Sequence, residues 1–172
     1  SKGKIAVHHV DTKQAEEYKA QQQKQTAVLD ALQKMNTEIA DLNKQTQATA
    51  SSANQTLLSQ KTEAYQKLLT EYQANYLIQD AQVLYDTNQP QQALKKIKQI
   101  IEDHPSHIPA YLLQSKILQD KGNTNAVLAL FNDALEQNPQ ASEIYIARSE
   151  FYTNNGHQSR AIMDIAKAIQ LN

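Results

Sequence analysis

Apolar positions in the first part of the chain recur in alternating steps of three and four. Tyr18, Gln21, Gln25, Val28, Leu32, Met35, Ile39 and Leu42 form one such line, most apolar from Val28 to Leu42. It fades through Thr46, Thr49 and Ala53. These steps keep side chains on one stripe of an α-helix, as a heptad seam does. Asp11 and Gln14 have the spacing of a capping box, and neither Gly nor Pro follows as far as Thr49. The pattern predicts a helix over residues 12–48. After the small, polar run 48–55, a second line follows at Leu58, Tyr65, Leu69, Tyr72 and Tyr76, predicting a helix over about 55–87. So narrow an apolar seam needs a partner helix, because isolated helices are marginal in water. Two arrangements are open. The chain folds back at residues 51–54 into an antiparallel hairpin, or two or three chains associate through Val28, Leu32, Met35, Ile39 and Leu42. Matching helix lengths favour the hairpin, which does not exclude dimerisation.

Beyond residue 74 the pattern changes to a repeat of 34 residues. Units beginning at Ala74, Ile108 and Ser142 align without a gap. The fourth column reads Leu77, Tyr111 and Tyr145, and the eleventh Leu84, Leu118 and Tyr152. Both put large groups on one face of a first helix. The eighth, Ala81, Ser115 and Ser149, is small, as a close helix crossing requires. The fifteenth, Asn88, Gly122 and Gly156, suits a left-handed residue ending that helix. The twentieth (Ala93, Val127, Ala161), twenty-fourth (Ile97, Phe131, Ile165) and twenty-seventh (Ile100, Ala134, Ala168) form the facing stripe of a second helix. Pro105 and Pro139 close the first two units.

This pattern resembles the tetratricopeptide repeat (TPR) over residues 74–172. The resemblance implies an all-α, right-handed solenoid of three helix pairs, 74–107, 108–141 and 142–172, behind an N-terminal segment and helical arm over 1–73. One departure is the seventh column, Asp80, Gln114 and Arg148, where the family usually carries Leu; looser local packing is expected there. Function in such arrays sits in a groove lined by the first helices. The groove candidates are Asn75, Ile78, Gln82 and Tyr85 in the first unit, Pro109, Leu112, Lys116 and Gln119 in the second, and Glu143, Ile146, Glu150 and Thr153 in the third. The carboxylate clamp of co-chaperone repeats needs Lys, Asn and Arg where this chain has Ile78, Gln82, Leu113, Glu143 and Ala147, so an acidic chaperone tail is not the expected ligand. Ile78, Leu112 and Ile146 form an apolar line, either a groove floor for a helix or extended peptide, or a line already covered by the protein's own N-terminal helix or by packing between repeats. Ile162, Ile165 and Ile169 lie on the last helix with no polar helix after them, so further repeats or self-association at that end are expected.

Composition narrows the function classes. The net charge is −1 without a basic block, which argues against nucleic acid binding. No cysteine is present, removing disulfides and thiolate metal sites. No apolar run is long enough to span a membrane. Five histidines, His8, His9, His104, His107 and His157, lack a convergent ligand set, and three glycines are too few for a phosphate-binding loop. No catalytic residue, cofactor or metal is expected. Residues 4–10 read as an edge strand or a leader. Their "KIAV" ahead of a helical arm resembles a periplasmic chaperone family that holds outer-membrane proteins. An arm ahead of such repeats is similar to the trimeric cell-envelope protein that binds the Tol system. The expected function is a non-enzymatic interaction scaffold, of bacterial type. Its groove would take a peptide or helix of a protein partner, and its coiled-coil arm would mediate assembly or spacing. A holdase-like chaperone and the regulatory segment of a larger enzyme are the alternatives. The cell envelope is slightly favoured over the cytoplasm. A start at Ser1 fits either a removed targeting segment or lipidated residue, or trimming.

Overall fold

The computed structural model of the chain describes residues 12–172, with seven α-helices and no strand among them. The helices are α1 (Thr12–Thr49), α2 (Ser52–Asp86), α3 (Pro90–Asp103), α4 (Ile108–Asp120), α5 (Thr124–Gln137), α6 (Ser142–Asn154) and α7 (Gln158–Leu171). The expectations on residues 4–10, on His8 and His9, and on Asp11 and the side chain of Gln14, lie outside the described residues. The chain divides into two compact units, Ser1–Tyr72 and Gln73–Asn172.

In the first unit the chain folds back within two residues. Ala50 takes a left-handed φ of 50° and its N–H donates to the Thr46 carbonyl at 2.9 Å. Ser51 then caps α2, its Oγ accepting from the Asn54 N–H at 3.3 Å. That cap moves the reversal to Ala50 and Ser51, earlier than the expected 51–54. Lys61 Nζ lies 2.8 Å from Glu38 Oε2, which makes α1 and α2 antiparallel neighbours. Thr46, Leu42, Ile39, Met35, Leu32 and Val28 line one stripe of α1, and Asn54, Leu58, Lys61, Tyr65, Leu68 and Tyr72 line one stripe of α2. All twelve are buried or half-buried. Thr46 is tolerated in the seam because its hydroxyl donates to the Leu42 carbonyl at 2.8 Å.

The expected seam needs correction at its ends and in one phase. Tyr18, Gln21 and Tyr76 are exposed, and Lys61 and Leu68 take seam positions not expected for them. Lys61 fits because a long aliphatic stem can cover an apolar stripe while its ammonium reaches Glu38.

In the second unit every helix boundary repeats after 34 residues. Pro90, Thr124 and Gln158 open the second helices, and Asp103, Gln137 and Leu171 close them. Asn88, Gly122 and Gly156 have φ of 61°, 69° and 77°, as the fifteenth column requires. The next N–H in each case reaches back to Leu84, Leu118 or Tyr152, at 2.8, 3.1 and 2.8 Å. This bond, closing over a left-handed residue, is the Schellman ending of a helix. Tyr111 Oη donates to the Pro105 carbonyl at 2.9 Å and Tyr145 Oη to that of Pro139 at 3.4 Å, tying each unit's end to the next first helix. Burial raises the Tyr111 hydroxyl above its ordinary pKa.

Two apolar clusters fill the stack. Ile97 and Ile100 of α3 pack with Ala110, Leu113 and Ile117 of α4. Val127, Phe131 and Leu135 of α5 pack with Ile144, Phe151 and Tyr152 of α6. Ile101 touches both clusters, so the core is continuous. The twenty-fourth column breaks this order at its last member, because Ile165 is exposed.

Two outcomes test the hairpin. Leu32→Ala should lower the unfolding free energy by about 2–5 kcal/mol, against about 0.5 kcal/mol or less for the exposed Leu29→Ala, by urea denaturation. Lys61's hydrogen bond, then its charge, holds the Glu38 carboxyl below the usual carboxylate range. A depressed carboxyl stabilises the fold above its unfolded pKa and loses that contribution as pH falls through the folded value. Lys61→Met should move the Glu38 titration upward towards the ordinary range, as followed by NMR.

Candidate functional site

The candidate groove residues lie on the last part of α2, on α4 and on α6. Asn75, Pro109, Lys116, Gln119, Glu143, Ile146, Glu150 and Thr153 are exposed, while Ile78, Gln82, Tyr85 and Leu112 are half-buried. The structure brings some of them together. Lys116 Nζ stands 5.3 Å from the centroid of the Tyr85 ring, a cation–π contact between the first helices of neighbouring repeats. Gln82 Nε2 donates to Asp86 Oδ1 at 2.8 Å along α2. Ile146 and Glu150 share a cleft of about 350 Å³ with Ile165, Ala168 and Ile169 of α7. Asn75, Ile78, Pro109, Leu112, Gln119, Glu143 and Thr153 belong to none of these groupings.

The apolar line at the fifth column is unequal. Ile78 packs against the cluster that holds Leu113 and Ile117, and so does Tyr85. Leu112 is half-buried and Ile146 is 42% exposed. At this column the exposed apolar side chain is the one in the last repeat. Of the positions matching the carboxylate clamp, Leu113 is buried in that same cluster.

A polar constellation was not anticipated from the sequence. Arg148 holds Asp164 with two bonds of 2.7 Å, Nε to Oδ2 and Nη2 to Oδ1, and its Nη1 donates to Asn132 Oδ1 at 2.9 Å. The guanidinium also lies 5.7 and 5.8 Å from the rings of Tyr145 and Tyr152. The hydrogen bond to Asp164 raises the Arg148 pKa further above its ordinary value, against the cost of its partial burial. The first helix pair of the second unit repeats the arrangement with the charges exchanged, Lys96 Nζ lying 3.5 Å from Asp80 Oδ2. The seventh column, expected to loosen the packing, instead carries an ion pair across the two helices of a unit. Opposite charges 16 residues apart in two units were the available signal.

Another cleft, of about 430 Å³, opens among α3, α4 and α5, lined by Ile101, Tyr111 and Leu130 and rimmed by Lys98, Glu102 and Asp133. No group of three or more His, Cys, Asp or Glu side chains placed to hold a metal lies among the described residues. No helix among them is long and apolar enough to cross a membrane.

Three helix pairs in a 34-residue register, each ended by a left-handed residue and crossed at a small side chain, are the architecture of a TPR array. The second unit is an all-α solenoid of three helix pairs. Among solved structures, the chain is similar to YrrB, a TPR protein with an unusual peptide-binding site, at 17% identity and a TM-score of 0.47 over 85% of this chain and 82% of that one. It is also similar to MamA, at 13% identity and a TM-score of 0.46 over 80% of this chain and 88% of that one. No protein-family model matches the chain, and no curated protein matches it.

The Arg148–Asp164 pair makes a sharp prediction. Arg148→Leu alone leaves a buried carboxylate unpaired and should cost about 3–5 kcal/mol of stability in urea denaturation. Adding Asp164→Leu should recover most of that loss, because two apolar groups can fill the space of a buried ion pair.

Proposed function

We propose that this protein is a non-enzymatic interaction scaffold whose first-helix face binds a peptide or helix of a protein partner. The observation that carries this reading is the row of available side chains on that face. The Tyr85–Lys116 pair offers a ring and a cation at one junction, Leu112 adds partly open apolar surface, and Gln119 and Glu150 supply polar contacts. Apolar ground with a few polar groups suits a peptide held by side-chain anchors. No catalytic, cofactor or metal residue is assigned. The paired helices α1 and α2 act as the spacing or assembly arm in this reading. The exposed apolar side chains Tyr18, Leu29 and Leu57 favour a second reading, a holdase that grips unfolded clients along the arm.

Panning a peptide-display library on the chain, then titrating selected peptides by fluorescence anisotropy, tests the proposal. Leu112→Gln combined with Lys116→Glu should weaken binding about tenfold or more, about 1.4 kcal/mol. Lys95→Glu, on exposed α3 surface, should leave affinity unchanged. Selected peptides indifferent to the changes at Leu112 and Lys116 would sink the groove. Peptides with no common pattern that bind equally to the arm would favour the holdase.

A further inference from the structure

The internal repeats show what covers a second helix in this fold. On α3 the outward stripe is Leu94, Ile97 and Ile101, and on α5 it is Leu128, Phe131 and Leu135. Each is covered by the next first helix. Ala110, Leu113 and Ile117 of α4 close the first, and Ile144, Ala147 and Phe151 of α6 close the second. Both covering faces are apolar in steps of three and then four.

The matching stripe on α7 is Ile162, Ile165 and Ile169, and these are 65%, 45% and 71% exposed. Met163 beside them is 71% exposed. No charged side chain interrupts the stripe, and the open cleft against Ile146 runs along it. Such a face calls for a helix with large apolar groups in steps of three and four. Among the described residues, α7 is itself the helix that exposes such a set. The other large exposed apolar groups are separated by polar residues, as Tyr76 and Val83 are by Gln79 and Asp80.

We propose that the α7 face is a homodimer contact, in which α7 packs antiparallel against α7 of a second copy. The stripe is self-complementary about a point between Ile165 and Ala166. A two-fold axis there sets Ile162 opposite Ile169 of the second copy, and Ile165 opposite the small Ala166. A closed two-fold contact of this kind uses the same patch on both chains. Setting large groups against small ones lets the two helices approach closely.

Sedimentation velocity over a wide concentration range, with cysteine cross-linking, tests this on the full chain. The expected species is a dimer. Ile162→Glu with Ile169→Glu, which sets like charges opposite each other, should shift the dissociation constant upward by tenfold or more. Both positions are exposed, so the helical circular dichroism should be retained. The chain has no cysteine of its own, so Ala166→Cys reports on the axis directly. It should form a disulfide-linked dimer on mild oxidation, and Gln158→Cys, far from the axis, should not. A monomer at every concentration overturns the proposal. So does a dimer that withstands both glutamates, or one in which Ala166→Cys fails to cross-link.

Discussion

The close crossing of paired helices at Ala81, Ser115 and Ser149 is the constraint on which the second unit rests. A larger side chain there would push the second helix away and open the apolar stripe behind it. Two of the three crossings use serine, which would leave a buried hydroxyl unsatisfied. Ser115 and Ser149 resolve this by donating back to the carbonyls of Leu112 and Ile146, at 2.8 and 2.7 Å. Small volume is thus kept without an orphaned polar group. With the crossings fixed, Ile97 and Phe131 come to lie against the following first helices, and the core propagates from unit to unit.

Propagation of this kind has a consequence at its end. Each second helix carries two apolar stripes, one for its own partner and one for the next repeat. In α7 the inner stripe is satisfied, as the burial of Ala161 and Ala168 shows, but the outer stripe of Ile162, Ile165 and Ile169 has nothing against it. A solenoid solves its packing by stacking, and among the described residues this stripe is the one left without a stacked neighbour. The hairpin of the first unit meets the same need differently. Its two helices reverse at Ala50 and Ser51 and meet at Lys61 and Glu38, and the stripe from Val28 to Thr46 on α1 is buried or half-buried.

The polar seventh column shows how an array can depart from apolar packing without loosening. Asp80 with Lys96, and Arg148 with Asp164, join the same two positions in the first and third units. The outer pair is exposed and worth little, whereas the inner one is largely shielded and bonded at both oxygens. Arg148 also spans the rings of Tyr145 and Tyr152, so one guanidinium organises the middle of α6. That rigidity lies one position from Ala147 and two from Ile146, beside the face proposed for binding.

Much of this architecture was already determined by the sequence alone. Local conformational requirements read directly: Gly122, Gly156 and Asn88 at left-handed positions, prolines at unit ends, and small residues at crossings each state a backbone condition independent of what packs around them. Periodicity likewise placed Val28, Leu32, Met35, Ile39 and Leu42 on one helical stripe, where Leu32 and Leu42 are buried and the others half-buried. Tertiary structure decided what depends on which surfaces meet. It placed Lys61 and Leu68 in the seam and left Tyr76 out, because the seam follows the register of the partner helix rather than side-chain apolarity. It turned Asp80 and Arg148 from apparent misfits into ion pairs. It separated Ile146, open to solvent, from Ile78, which its neighbours partly cover. Ile165 occupies the same column as Ile97 and Phe131, and its sequence context marks it equally as core. It is exposed because burial belongs to a pair of surfaces, and among the described residues no second surface lies against it.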